Sequence, residues 1–162
     1  MLREGDRAPS FRLPNQHGEE VSLEDLVKGY RALVLYFYPR DDTPGCTAEA
    51  CGFRDSFESF RRMGVNVVGV SVDDTESHRR FIGKYKLPFT LLSDVDGRVS
   101  RLYDAYREDR GTAARKTYLI DGEGVIRAVF PKVSPEEHAS EILAAVKNLS
   151  QHRSGGFDTP TE

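Results

Sequence analysis

The sequence predicts an α/β protein with a mixed central β-sheet flanked by helices, and two observations carry that prediction. Apolar, β-rich runs alternate along the chain with segments of helical period, the order that parallel strands and crossover helices produce. Near the C-terminal third, the strand-like runs TYLID at 117–121 and VIRAVF at 125–130 are separated by Asp121-Gly122-Glu123-Gly124. That is turn chemistry for an antiparallel pair, so the sheet is expected to be mixed, with a hairpin closing one edge.

Taken in order, the first strong run is ALVLYFY at 32–38 and the next is VNVVGVSV at 65–72. Both are nearly continuous in apolar residues, as strands buried on both faces should be. Between them Thr43 is a suitable N-cap and Pro44 suits the first helical position, which makes Cys46 the third residue of a helix. A second helix is expected before FTLLSD at 89–94, and a short one after it. The last helix is marked by Ser134 as N-cap, Pro135 at the first position and Glu137 three residues after the cap, followed by Ile142, Leu143, Val146 and Leu149 on one stripe. After it, 150–162 is polar, contains Gly and Pro, and has no periodicity, so a flexible tail is expected there and a single domain over 1–149.

Composition narrows the classes of function. A chain of 162 residues is about one domain, and its net charge of -3 shows no basic excess, so nucleic acid is not expected as a partner. No segment approaches the roughly 18 apolar residues that would span a bilayer, and the first ten residues lack the apolar core of a signal peptide, so no membrane partner and a cytoplasmic setting are expected. Two cysteines are too few for a secreted disulfide scaffold. In a reducing compartment a close pair is catalytic, redox-sensing, metal-binding or idle. His17, His78, His138 and His152 are scattered without ligand spacing, and Asp41-Asp42 and Asp73-Asp74 sit where turns and caps favour aspartate, so no metal site is expected. There is no P-loop and no dinucleotide fingerprint, hence no expected cofactor, and reducing equivalents should come from a thiol partner.

Helical spacing puts Cys46, Ala50, Phe53, Phe57 and Phe60 on one stripe and Cys51, Asp55, Glu58 and Arg62 on another, so one cysteine faces the core and the other leans outward. In the first turn of a helix, free backbone N–H groups and the positive end of the dipole favour a thiolate, which makes Cys46 a candidate nucleophile. Five residues of helix separate the two Cα atoms by roughly 9 Å. A disulfide needs less than about 7 Å, so any bond between them requires the first turns to unwind, and Gly52 makes that cheaper. On spacing alone, Cys46 as a buried small hydrophobe and Cys51 as incidental is an equal alternative.

Pro39-x-x-x-Thr43-x-x-Cys46 resembles the active-site motif of the peroxiredoxins, thiol peroxidases of thioredoxin-like fold. Three further features resemble the Q-type branch, also called bacterioferritin comigratory protein: the second cysteine five residues on, Leu91-Leu92-Ser93-Asp94 after a Pro-Phe, and the stretch from Arg115 to Asp121. The resemblance covers about Gly5 to Leu149. It implies that Cys46 is the peroxidatic residue and that Cys51 resolves its sulfenic acid as an intramolecular disulfide. Thr43 and Arg115 match the hydrogen-bonding and charge-stabilising positions, and Pro39 the residue that shields the site. It also implies hydrogen peroxide or organic hydroperoxides as substrates, thioredoxin or a similar dithiol protein as reductant, and a monomer.

The residue types suit that chemistry. A guanidinium stays protonated and can both hold a thiolate and stabilise charge on the departing oxygen. The Thr43 hydroxyl, beyond capping, points at the first turn, and Pro39 limits water and excess oxidant around the sulfur. The roles of Glu49 and Arg54 beside the active helix are open at this stage. A thiol-disulfide oxidoreductase acting on protein disulfides is the alternative, although the Cys-x-x-Cys spacing of thioredoxin is absent. A redox-insensitive binding module is a third class, against which the intact Pro39, Thr43, Cys46 and Arg115 set argues.

Overall fold

Ala32–Phe37 is buried at all six positions, and it forms the centre of the molecule. The structure is a computed structural model that describes the backbone of residues 1–156 and the side chains of residues 1–149. In chain order the elements are β1 (Arg12–Pro14), β2 (Glu20–Ser22), α1 (Leu23–Val27), β3 (Ala32–Phe37), α2 (Pro44–Asp55), α3 (Phe57–Arg62), β4 (Val65–Ser71), α4 (Thr75–Tyr85), β5 (Thr90–Ser93), α5 (Arg98–Leu102), β6 (Tyr106–Arg107), β7 (Thr112–Ala113), β8 (Lys116–Asp121), β9 (Ile126–Phe130) and α6 (His138–Gly156).

The main sheet is five-stranded with order β5-β4-β3-β8-β9. β3, β4 and β5 are parallel, while β8 is antiparallel to both β3 and β9. The mixed sheet and the edge hairpin expected from the sequence are therefore present. Alternation along β3 divides the core. Leu33, Leu35 and Phe37 pack with Leu26, Val99, Tyr103 and Ile120 on one face, whereas Val34, Tyr36 and Tyr38 pack with Phe53, Phe60, Phe81, Ile142 and Val146 on the other. α2, α3, α4 and α6 thus cover the second face, and the site lies at its edge.

Three details differ from the sequence expectation. The single helix expected from Pro44 through Phe60 breaks at Ser56, which sits at φ -98° and ψ 3°. Gly52 and Ser56 are poor helix formers one turn apart, and the apolar stripe survives the break, since Phe53 and Phe60 stay fully buried with ring centroids 5.9 Å apart. The last helix starts at His138 rather than after Ser134. Ser134 to Glu137 instead close a turn, in which Glu137 N donates to Ser134 O at 3.0 Å, and Pro135 packs against α2. Finally, α6 carries the backbone past the expected boundary at 149 to Gly156. The remainder of the expected tail, 157–162, lies outside the described residues.

Candidate active site

The register of the sheet assembles the site. Phe37 pairs with Lys116 across β3 and β8, so Arg115, one residue before β8, stands beside the point where the chain leaves β3 for Tyr38 and Pro39. The chain then turns into α2, whose first intrahelical bond runs from Thr47 N to Thr43 O at 2.8 Å. Cys46 is in the first turn as expected, facing the core and 1% exposed. Cys51, on the same helix, is half-buried, and neither cysteine is in a disulfide.

Arg115 joins two acidic groups through different nitrogens. Its Nη2 donates to Cys46 Sγ at 3.4 Å, and its Nη1 donates to Glu49 Oε1 at 2.9 Å. Gly45 makes the approach possible, because a Cβ there would stand 3.0 Å from Arg115 Nη2 and 3.6 Å from Pro135 Cγ. Burial works against the Arg115 charge, but the Cys46 sulfur and Glu49 outweigh it and hold the guanidinium above its ordinary value. Glu49 is fully buried. Desolvation pushes its carboxyl up to about 7 even though Arg115 opposes the rise.

Behind Glu49 stands a histidine from α6. His138 Nε2 is 3.9 Å from Glu49 Oε2, 2.7 Å from Thr117 Oγ1, and its Nδ1 is 3.0 Å from Glu141 Oε1. A carboxylate only accepts, so these partners assign the proton to Nδ1 and leave Nε2 to accept from the Thr117 hydroxyl. Burial lowers the His138 pKa from its ordinary value, with Glu141 acting the other way. Among the described residues, Glu49 Oε2 has no hydrogen-bond partner.

The loop leading into α2 is fixed from outside the site. Asp41 accepts from Tyr38 Oη at 2.5 Å and from Ser77 Oγ at 2.7 Å, and its Oδ2 lies 2.7 Å from His78 Nδ1. Asp41 N donates to Asp73 Oδ2 at 2.8 Å. His78, which the sequence left scattered, thereby meets Asp41 and Asp73 with their donor atoms within 4.8 Å of one another. His78 Nε2 also meets Leu92 O, so these atoms already serve the loop. Asp42 adopts φ 58° and is held by Lys84 Nζ and Tyr85 Oη, both at 2.8 Å.

Cys46 and Arg115 are thus brought into contact, with Thr43 at the head of the same helix and Pro39 in the loop that leads to it. Thr43 occupies the N-cap position with extended backbone, yet its hydroxyl makes no cap bond and donates to Arg40 O at 3.1 Å. That corrects the expected capping role. Arg54 points away from the sulfur, donating to Tyr85 O and Asp55. Sequence reasoning left Glu49 open and set His138 aside with the scattered histidines; its hydrogen-bonding and ion-pair partners Thr117 and Glu49 lie 21 or more residues away.

A mixed sheet of this order, with a cysteine buried in a helical first turn and a guanidinium on its sulfur, defines a thioredoxin-fold thiol peroxidase. Residues 4–129 match the AhpC/TSA family. The chain is 48% identical over 145 residues to a putative peroxiredoxin bcp of Coxiella burnetii, covering 86% of this chain and 95% of that protein. Solved structures agree: peroxidoxin BcpB of Mycobacterium tuberculosis superposes with a TM-score of 0.85 at 31% identity, over 92% of this chain and 99% of that one. The bacterioferritin comigratory protein of Xanthomonas campestris, described for alkyl peroxide reduction, gives a TM-score of 0.80 at 33% identity, over 86% and 92%. The chain belongs to the AhpC/TSA family, in its peroxiredoxin Q or bcp branch, and is a thiol peroxidase.

Proposed function

We propose that Cys46 is the peroxidatic residue and Cys51 the resolving one, acting on hydrogen peroxide or organic hydroperoxides with a thioredoxin-like dithiol protein as reductant. The observation that carries this is the Arg115 guanidinium against the Cys46 sulfur, with Cys51 on the same helix. The Cys46 thiolate attacks one peroxide oxygen, the O–O bond breaks, and an S–O bond forms. The departing oxygen takes a proton and leaves as water or an alcohol, so sulfur is oxidised to a sulfenic acid and the peroxide is reduced. Arg115 faces the charge that builds during this step. Thr43, having donated its proton to Arg40 O, has only lone pairs to offer and would accept the O–H of the hydroperoxide. Pro39, half-buried in the loop before α2, would limit water around the sulfur.

Both cysteines lie on one wound helix, too far apart to bond. The segment between them must unwind, after which the Cys51 thiolate attacks the Cys46 sulfur, the S–S bond forms, the S–O bond breaks and hydroxide leaves as water. Exchange with the dithiol partner restores both thiols. The setting is a reducing one, the cytoplasm as expected from the sequence, and the enzyme acts as a monomer.

Intact mass after one equivalent of hydrogen peroxide, with peptide mapping, tests the assignment. A loss of two hydrogens mapped to a Cys46–Cys51 link is expected. Thiols that both stay reduced overturn it, and insulin-type disulfide reduction without peroxide turnover would identify a protein disulfide oxidoreductase instead.

A further inference from the structure

Glu49 lies inside the segment that must unwind, and its two oxygens are treated unequally. Arg115 holds Oε1, while Oε2 is buried without a hydrogen-bond partner among the described residues. The groups facing it are Arg115 from the start of β8, Cys46 one turn earlier on α2, His138 from α6 with Glu141 and Thr117 behind it, and Tyr36 from β3, whose buried hydroxyl also has no partner. Arg115 is the fixed cation of this group, and the Cys46 sulfur shares it. A carboxylate at Glu49 is therefore worse served in the wound helix than in water, and unwinding residues 46 to 51 carries it to water.

We propose that Glu49 is a positioning residue that couples the winding of α2 to the charge of the site. With its carboxyl protonated it keeps α2 wound and Arg115 against Cys46, and once ionised it favours the unwound segment in which Cys51 reaches Cys46. The consequence for turnover rests on the cysteine assignments proposed above, whereas the winding is measurable without them.

The sign follows from burial. Glu49 is raised to about 7 in the wound helix and returns toward its ordinary 4.5 when exposed. Its contribution to winding is complete below the lower value and is lost as pH rises through the upper one. Opening of the segment should rise about tenfold between pH 6 and pH 8. One group acts in the opposite sense: His138, which burial holds below its ordinary value, gains a proton on exposure at the acid end.

The experiment is amide hydrogen exchange on the Cys46→Ser protein and on Cys46→Ser with Glu49→Gln, each rate referenced to the unstructured rate at the same pH. Protection of the amides between 46 and 51 is expected to fall about tenfold more from pH 6 to pH 8 in the first protein than in the second. Equal slopes, or a slope of opposite sign, overturn the proposal. Should the glutamine variant not fold, carbon-13 titration of the Glu49 carboxyl in the Cys46→Ser protein decides: a midpoint at about 7 supports it, and one at 4.5 refutes it. Neither readout involves peroxide, so failure here is distinct from failure of the Cys46–Cys51 link to form.

Discussion

Arg115 works by the separation of its two terminal nitrogens, one on sulfur and one on Glu49. A lysine keeps the charge and has three donors, but on one nitrogen at the end of a flexible stem, so it does not reproduce two donors held apart on one rigid plane. Arg115→Lys is expected to slow oxidation of Cys46 by about 10²-fold, the scale of losing one preorganised donor, in stopped-flow measurements of peroxide consumption. Gly45 is the less obvious partner. A Cβ there would stand 3.0 Å from Arg115 Nη2, so the tip of the guanidinium would have to give way by a few tenths of an ångström, while Pro135 at 3.6 Å would stay in ordinary contact. Gly45→Ala should therefore lower the same rate by roughly tenfold while the melting temperature moves by less than about 4 °C, a split that a general loss of fold would not produce. At this scale the contact between Cys46 and Arg115 was legible, because a motif marks both residues. Glu49 was not, since one acid among 26 Asp and Glu carries no mark, and its burial depends on α6 and β8. His138 sits in a segment that reads as a helix start, and nothing local says that its ring ends against Thr117.

At the scale of elements, strands were legible where both faces are buried, as in β3 and β4, because such a strand has to be continuously apolar. β1, β2, β6 and β7, two or three residues each, are too short to show a period. The break at Ser56 and the turn at Ser134 are set by packing on α2 and the core, which a capping pattern does not contain. The hairpin between β8 and β9 was legible, and the structure supplies its mechanism. Asp121, fully buried, accepts from Glu123 N and Val125 N through Oδ1 and from Arg127 Nε through Oδ2 at 2.9, 3.1 and 2.7 Å. Burial alone would raise its carboxyl, and these hydrogen bonds outweigh it and hold the group below its ordinary 3.8. Asp121→Ala should cost about 2 kcal/mol at pH 7, read as a lower urea midpoint. Because the folded value is depressed, that stabilisation is present above 3.8 and lost as pH falls through the folded value, so the two midpoints should converge below pH 3.8. A difference that stayed constant down to pH 2 would assign the loss to packing instead.

At the scale of the whole molecule, the catalytic helix lies between the sheet and α6, with Phe53 edge-on to His138 at 5.7 Å and Gly52 facing Ala139, whose Cβ would stand 3.5 Å from any Cβ at position 52. These contacts keep the peroxide-reactive form wound, and the disulfide form must give up part of them. Two terms of comparable size oppose each other. A crosslink closing so short a loop constrains the unfolded chain by about 2 kcal/mol. Unwinding 46 to 51 takes Cys46 and Ala50 out of a core where each is 1% exposed, at about 2 kcal/mol for the pair. It also breaks the helical bonds of that segment, each contributing about 1 kcal/mol. The burial term alone offsets the crosslink, and the helical bonds lost beyond it lower the melting temperature, by about 2 to 4 °C per kcal/mol for a chain of this length. Calorimetry on the fully reduced and peroxide-oxidised proteins should show that order, with a matching loss of far-ultraviolet helical signal. An oxidised form that melts at or above the reduced one, with its helical signal intact, would mean that α2 stays wound, and a wound α2 cannot contain a Cys46–Cys51 bond.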